Sequence, residues 1–428
     1  MNPGSAALIL ILLLAACQPL TGSHVTPTPE ALPPTSLPEQ VPTVPISTDI
    51  RLPSVYATIK IAYTSQEQLW IWENNHAISI THANLDTTLA ISKSGEQIAF
   101  LRDGQLLVID SNGANEHVLI PAQQMTSLSP QNPARLLNFS WVPGRPLLLV
   151  TTLQDSGAGP QPNQDLYLLH TDTGEMVTVF TAGQGGTAYP SLDGAWLAIL
   201  SPERARLLKS DGSDERTLLT YSPYQSGYTP YIPKPYWAAD SQSFLLETRS
   251  EDSATTWQIP VAGEAVLLIP STSHGLFFSP DLSKYAYVLD DGMLDSPIEL
   301  HIADLDGTND SVYAQAIHED YTGLGFLGWA PDSKSFLFTE PNRDPQWMKF
   351  GEMEAQTVPI PTVEPFRAMK IIWLDANAFV VIIRSPSGIW LSVPGQESLQ
   401  VADFPEGELP ASDLARGFDI FATNGFLP

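Results

Sequence analysis

The sequence predicts an all-β fold, a β-propeller with eight blades favoured and seven as the alternative, on three observations. A tight turn opening onto an apolar run, spelled Trp329-Ala330-Pro331-Asp332-Ser333-Lys334-Ser335-Phe336-Leu337-Phe338, recurs from Trp237 to Leu246, from Phe278 to Tyr287 and from Tyr189 to Ile199. The turn carboxylates Asp193, Asp240, Asp281, Asp332 and Asp375 lie 47, 41, 51 and 43 residues apart, close to the repeat length of a propeller blade. The apolar runs are continuous more often than alternating, as in Ile98-Ala99-Phe100-Leu101 and Phe379 to Ile383, which is the pattern of strands covered on both faces.

Composition agrees. The 428 residues are 43% hydrophobic, with 38 Pro and 28 Gly, enough apolar material for a large core divided by many turns. That favours short strands over long helices. The net charge of −27, from 47 acidic against 20 basic residues, repels phosphate backbones and anionic lipid headgroups and argues against a nucleic-acid partner. A single cysteine, Cys17, allows no intramolecular disulfide and no cysteine-based metal cluster.

Taken in order, the chain opens with an unbroken apolar run from Ala6 to Ala16, too short for a comfortable membrane span. It ends in Leu14-Ala15-Ala16-Cys17, which resembles a bacterial lipobox. The resemblance implies a signal peptide over residues 1–16, removed before Cys17, whose thiol would receive a diacylglyceryl group and anchor the protein to the cell envelope, on the outer face of the cell membrane or in the periplasm at the outer membrane. Residues 17–53 are rich in Pro and Thr, as in Thr26-Pro27-Thr28-Pro29, and read as a stalk in extended, polyproline-like conformations. At about 3.1 Å per residue such a stalk spans on the order of 100 Å.

Residues 54–428 hold the repeats. Each unit has a turn, an apolar strand, a variable loop, a second strand, a Gly or Asn turn and a third strand. The first takes Ile59 to Thr64, Gln68 to Glu73 and Ala77 to Thr81. The second takes Gln97 to Leu101, Gln105 to Ile109 and His117 to Ile120, around the turn Asn112-Gly113. The third takes Leu147 to Thr151, Asp165 to His170 and Met176 to Phe180; the fourth has Trp196 to Leu200 and Ala205 to Lys209, then Asp211-Gly212. Asn-Gly and Asp-Gly tolerate the positive φ that tight hairpins demand. The fifth to eighth open at Asp240, Asp281, Asp332 and Asp375. An Asp at the start of a turn accepts hydrogen bonds from backbone amides just ahead, so all five carboxylates are expected to be structural. The ten Trp, several beside these turns, are expected to wedge between blades.

These units resemble TolB-type, WD-like propeller repeats with a Ser-Pro-Asp-Gly signature, the nearest spellings being Phe278-Ser279-Pro280-Asp281, Trp329-Ala330-Pro331-Asp332-Ser333 and Pro190-Ser191-Leu192-Asp193-Gly194. The resemblance implies the fold and carries little about function. TolB itself has an additional amino-terminal α/β domain, for which the Pro-rich stretch is unsuited, so its role is not transferred. The first unit lacks an innermost strand, while Phe418-Asp419-Ile420-Phe421-Ala422-Thr423 is an apolar segment without a unit. The terminal segment is therefore expected to complete the first blade and close the ring.

No nucleophile elbow, His-Glu-x-x-His, Walker or dinucleotide-binding motif occurs, and no cofactor or metal is expected. The stretch from Asp304 to Asp310 fails the spacing of a helix-loop-helix calcium loop and reads as a hairpin turn. His318-Glu319-Asp320 would need remote ligands to hold a metal. Long connections fall between second and third strands and between blades, which share one face of an antiparallel propeller, and so mark a binding face. The richest runs from Tyr221 through Tyr224 and Tyr228 to Tyr231; tyrosines suit protein, peptide or glycan contacts, unless they pack on their own blade. Glu319 and Asp320, if on that face, would favour a basic or neutral ligand. The expectation is a non-catalytic, monomeric, membrane-anchored propeller that binds a protein, peptide or glycan; the alternative is a propeller enzyme, a polysaccharide lyase or hydrolase, with its site at the central channel.

Overall fold

The computed structural model describes residues 59–403 and 418–421, except 66, 83–86, 129–136, 156–159, 227–228, 252, 273–274, 291–292, 294, 318–323, 341–343, 353, 359–367 and 385–386. The repeats fold as eight antiparallel four-stranded blades, strand a innermost and strand d at the rim. Blade 2 is Thr87–Ile91, Gln97–Arg102, Gln105–Asp110 and His117–Ile120; blade 3 is Leu137–Trp141, Leu147–Asp155, Leu166–His170 and Met176–Phe180. Blade 4 is Thr187–Pro190, Trp196–Leu200, Arg204–Lys209 and Arg216–Thr220; blade 5 is Pro235–Trp237, Ser243–Arg249, Ala254–Pro260 and Val266–Thr272. Blade 6 is Phe277–Phe278, Lys284–Leu289, Pro297–Asp304 and Ser311–Ile317; blade 7 is Gly325–Trp329, Ser335–Thr339, Gln346–Lys349 and Gln356–Thr357. Blade 8 is Ala368–Asp375, Ala378–Arg384, Ser387–Ser392 and Leu399–Asp403.

Blade 1 joins the two ends of the propeller. Its outer strands are Lys60–Ser65, Gln68–Glu73 and His76–Ser79, and its inner strand is Phe418–Phe421, paired antiparallel with Ile61 opposite Ile420 and Tyr63 opposite Phe418. The terminal segment thus removes the open edge that Lys60–Ser65 would otherwise present, as its lone apolar run predicts.

The ring is held face to face. Apolar clusters occupy the blade boundaries in turn: one spans blades 8, 1 and 2, and others join 2 to 3, 3 to 4, 4 to 5, 5 to 6, 6 to 7 and 7 to 8. A central strand therefore meets a neighbouring blade on each face. This is why Ile98, Ala99 and Phe100, or Phe379, Val380, Val381 and Ile382, are consecutive apolar residues with no exposed surface.

The recurring carboxylates behave as their position predicts. Asp193, Asp240, Asp281, Asp332 and Asp375 each accept the backbone amide two residues ahead, at 2.9, 2.9, 3.0, 2.9 and 2.7 Å. Tryptophans wedge between blades: the Trp141 indole donates to the Ala90 carbonyl of blade 2 at 2.9 Å, and Trp329 to the Phe277 carbonyl of blade 6 at 2.8 Å. Contact is closest at Gly194, with φ +68°, where a Cβ would lie 2.0 Å from the Pro143 carbonyl oxygen of blade 3.

Two connections hold more structure than their sequences suggest. A short helix, Ala122–Leu128, opens the segment read as a loop before blade 3 and buries Met125 at the boundary of blades 2 and 3. Seven residues are fewer than the periodicity of a helix needs to show itself. In blade 3 the second strand runs on to Asp155 and pairs with Pro160–Pro162. No helix among the described residues is long and apolar enough to cross a membrane.

Candidate functional site

In each blade the a-to-b and c-to-d turns share one face, and the b-to-c and blade-to-blade connections share the other. The tyrosine-rich connection before blade 5 lies on the second, long-loop face. It is a small hairpin, Gln225–Ser226 paired with Thr229–Pro230, closed by the Tyr231 amide donating to the Tyr224 carbonyl at 2.9 Å. The Tyr224 and Tyr231 rings meet edge to face with centroids 6.2 Å apart.

Tyr221 and Tyr231 are anchored from below. The Tyr221 hydroxyl donates to the Ser201 carbonyl of blade 4 at 2.7 Å, and its ring packs against the cluster between blades 4 and 5. The Tyr231 hydroxyl lies 3.3 Å from the Glu247 carbonyl, and the Arg249 guanidinium sits 5.4 Å from its ring centroid. Burial pushes both phenols up; Tyr231 also feels Glu247, which raises it, against Arg249, which lowers it. Tyr189 and Tyr236, on the inner strands of blades 4 and 5, are likewise pushed up by burial, Tyr236 with a further rise from Glu247. All four hydroxyls therefore stay protonated at neutral pH and can donate hydrogen bonds.

Glu247 and Arg249 complete the site and were not singled out by sequence reasoning. They end the second strand of blade 5, two residues apart and so on one face of the strand. The Glu247 side chain is nearly buried; its carboxylate accepts from Arg249 Nε at 2.8 Å and from the Leu276 amide at 3.4 Å. Arg249 and Glu247 together thus link the hairpin ahead of blade 5, through the Tyr231 ring, to the connection ahead of blade 6, through the Leu276 amide. The Glu-x-Arg spacing was the available signal, and it is too common in solvated strands to be read alone.

Of the other residues expected here, Tyr228, Glu319 and Asp320 lie outside the described residues, as do Cys17 and His318. The stretch from Asp304 to Asp310 is the turn between the outer strands of blade 6: Asp304 pairs with Lys284 and accepts from Asn309 at 2.7 Å, while Asp306 accepts the Thr308 amide and hydroxyl at 2.9 and 2.6 Å. Beside it His301 is bound at both ring nitrogens, to Asp310 and Glu299 at 3.1 Å each, and Tyr287 donates to Asp310 at 2.6 Å. His301 thus ties Glu299 of its own strand to Asp310 of the following turn in blade 6.

An eight-bladed propeller with an anchored aromatic hairpin on its long-loop face is the class of protein these features define. No family model and no curated protein matches the sequence. Among solved structures, the chain is similar to a crystal structure of the eukaryotic initiation factor, at 12% identity over 80% of this chain and 96% of that one, with a TM-score of 0.51. It is also similar to dipeptidyl peptidase 4 of Porphyromonas gingivalis, at 12% identity over 74% and 53% of the two chains and a TM-score of 0.50. TolB from Acinetobacter baumannii matches at 16% identity over 60% and 63%, with a TM-score of 0.31, too loose to bear on function. These likenesses are of fold alone.

Proposed function

We propose that this chain is a non-catalytic binding propeller, tethered outside the cell membrane by a lipid on Cys17 and a Pro-rich stalk, that takes a protein, peptide or glycan on its long-loop face. The observation that supports this reading is the anchored hairpin. Tyr221 and Tyr231 are fixed by hydroxyl contacts to Ser201 and Glu247, and the half-buried Tyr224 packs edge to face on the Tyr231 ring, so its position is set by contacts within the protein. An ordered aromatic loses little freedom on binding, which favours affinity from a small contact area.

The test uses the mature full-length chain as bait for envelope proteins and arrayed glycans, with Tyr224→Ala as the control. Capture that weakens about tenfold or more on Tyr224→Ala, with unchanged thermal stability, agrees with the reading. Capture indifferent to the substitution counts against the hairpin as the contact. For the tether, Cys17→Ser is expected to move the protein from the membrane to the soluble fraction; continued retention contradicts lipidation.

A further inference from the structure

A second site lies on the opposite, short-turn face, at the boundary of blades 3 and 4. A cavity of about 190 Å³ is lined there by Arg145 from the first turn of blade 3, by Ala195 and Trp196 from the first turn of blade 4, and by Lys209, Ser210 and Asp211 from the last turn of blade 4. In a chain of net charge −27 this cavity holds two cations. Long-range repulsion of anions fades over about 8 Å at physiological salt, so the cations within the cavity decide what enters.

The repeat supplies its own control. Ser210 is the residue whose amide donates to the Ala195 carbonyl, at 3.0 Å, where the last turn of a blade meets the first. The same bond is made by Ser111 in blade 2, Thr171 in blade 3, Val261 in blade 5, Leu305 in blade 6 and Phe350 in blade 7. Three of these are apolar, so the fold does not require a hydroxyl there. In blade 2 the Ser111 hydroxyl receives the Lys60 ammonium of the preceding blade at 3.0 Å. In blade 4 Ser210 is 1% exposed and its hydroxyl is unpartnered, and the cation from the preceding blade, Arg145, lines the cavity instead. The Thr171 hydroxyl is also unpartnered, so an orphan hydroxyl alone is not diagnostic; what marks blade 4 is the orphan hydroxyl together with two cations and an indole.

We propose that this cavity binds a small oxyanion-bearing molecule, a carboxylate or phosphate held by Arg145, Lys209 and the Ser210 hydroxyl, with any ring it carries against Trp196. A guanidinium is suited to paired hydrogen bonds to such an oxyanion. Lys209 is free to turn: its side chain is half exposed and its ammonium lies 3.9 Å from Asp214, a loose contact. Asp211 is the one carboxylate in the lining; it accepts the Ser213 amide and hydroxyl at 2.8 and 2.6 Å, which with the nearby Lys209 and Arg145 hold its carboxyl below the ordinary value, so an entering oxyanion shares the two cations with it. Trp196 is steadied by the Arg216 guanidinium, 5.4 Å from its ring centroid. The volume corresponds to roughly six water molecules at about 30 Å³ each, room for one sugar acid or inorganic phosphate.

The test titrates the full-length protein with D-glucuronate, inorganic phosphate and neutral glucose, followed by calorimetry and ligand-observed NMR. At least one anion is expected to bind and glucose not to; the tighter of the two anions identifies the oxyanion. Arg145→Ala is expected to weaken binding about tenfold or more, through loss of a charged hydrogen bond. Ser210→Val, which installs the blade 5 spelling, is expected to weaken it roughly fivefold while thermal stability holds or rises, because an unpartnered buried hydroxyl is removed. Failure of both anions to bind at tens of millimolar, equal binding of glucose, or anion binding indifferent to Arg145→Ala would each overturn the proposal.

Discussion

The backbone amide of Asp281 in blade 6 donates to the Ser333 hydroxyl of blade 7 at 2.9 Å, and Asp193 of blade 4 does the same with Ser241 of blade 5 at 3.1 Å. Both serines stand at positive φ, 56° and 58°, where other copies of the turn, such as Gly95, Gly144 and Gly194, use glycine. The serine accepts the cost of a left-handed backbone and in return locks its turn to the blade before it. Ser333→Ala, which keeps the strain and removes the acceptor, is expected to destabilise by about 1–2 kcal/mol. Ser333→Gly, which also relieves the strain, should be milder. Urea unfolding of the two variants measures the difference; an Ala variant as stable as the parent would show that the bond contributes nothing.

Gly194 is the opposite case, a turn that no other residue can occupy. A methyl group there would stand 2.0 Å from the Pro143 carbonyl oxygen, on a backbone already in the left-handed region. Gly194→Ala is expected to cost at least about 2 kcal/mol and to loosen blade 3 from blade 4. Gly144→Ala, with nothing within 4 Å of the added carbon, should cost only the backbone strain. Thermal melts of the pair separate clash from strain.

Ring closure rests on a strand far from its partners in sequence. Removing residues 416–428 takes Phe418–Phe421 off Lys60–Ser65 and exposes that edge. The melting temperature is expected to fall on the order of 5 °C, with self-association through the open edge seen by light scattering. An unchanged melt would contradict closure.

Asp165 provides a pH-dependent term. It is 2% exposed, and burial pushes its carboxyl above the ordinary value of 3.8, against the lowering pull of the Thr152 hydroxyl and amide. Thr152 donates both, the amide at 2.8 Å and the hydroxyl at 2.5 Å. The folded state therefore binds this proton more tightly than the unfolded chain. Its contribution is fully present below pH 3.8 and is lost as pH rises through the raised folded value. Asp165→Asn should remove that slope, so the stability gap between variant and parent should change with pH across the window; a gap constant with pH would count against the buried ionisation.

The candidate sites were unequally legible. The tyrosine hairpin stands out as a Pro-punctuated aromatic run, but nothing in that run tells that Tyr221 and Tyr231 are pinned and that Tyr224 packs on the Tyr231 ring. That depends on Ser201 and Glu247, which arrive from other strands. The cavity at blades 3 and 4 gave no signal, because Arg145 and Ser210 are ordinary turn residues until the turns are set side by side.

What the sequence determined by itself is the repeat: the turn aspartates, the doubly buried strands and the unpaired terminal segment, each a local pattern whose physics acts within a few residues. Only the tertiary structure decided which blade faces meet, that Ser333 reaches Asp281, and that Arg145, Lys209 and an orphaned Ser210 surround one cavity. Those facts depend on the few ångströms between neighbouring blades. That spacing is set jointly by side chains of successive repeats and is written in no single stretch of the chain.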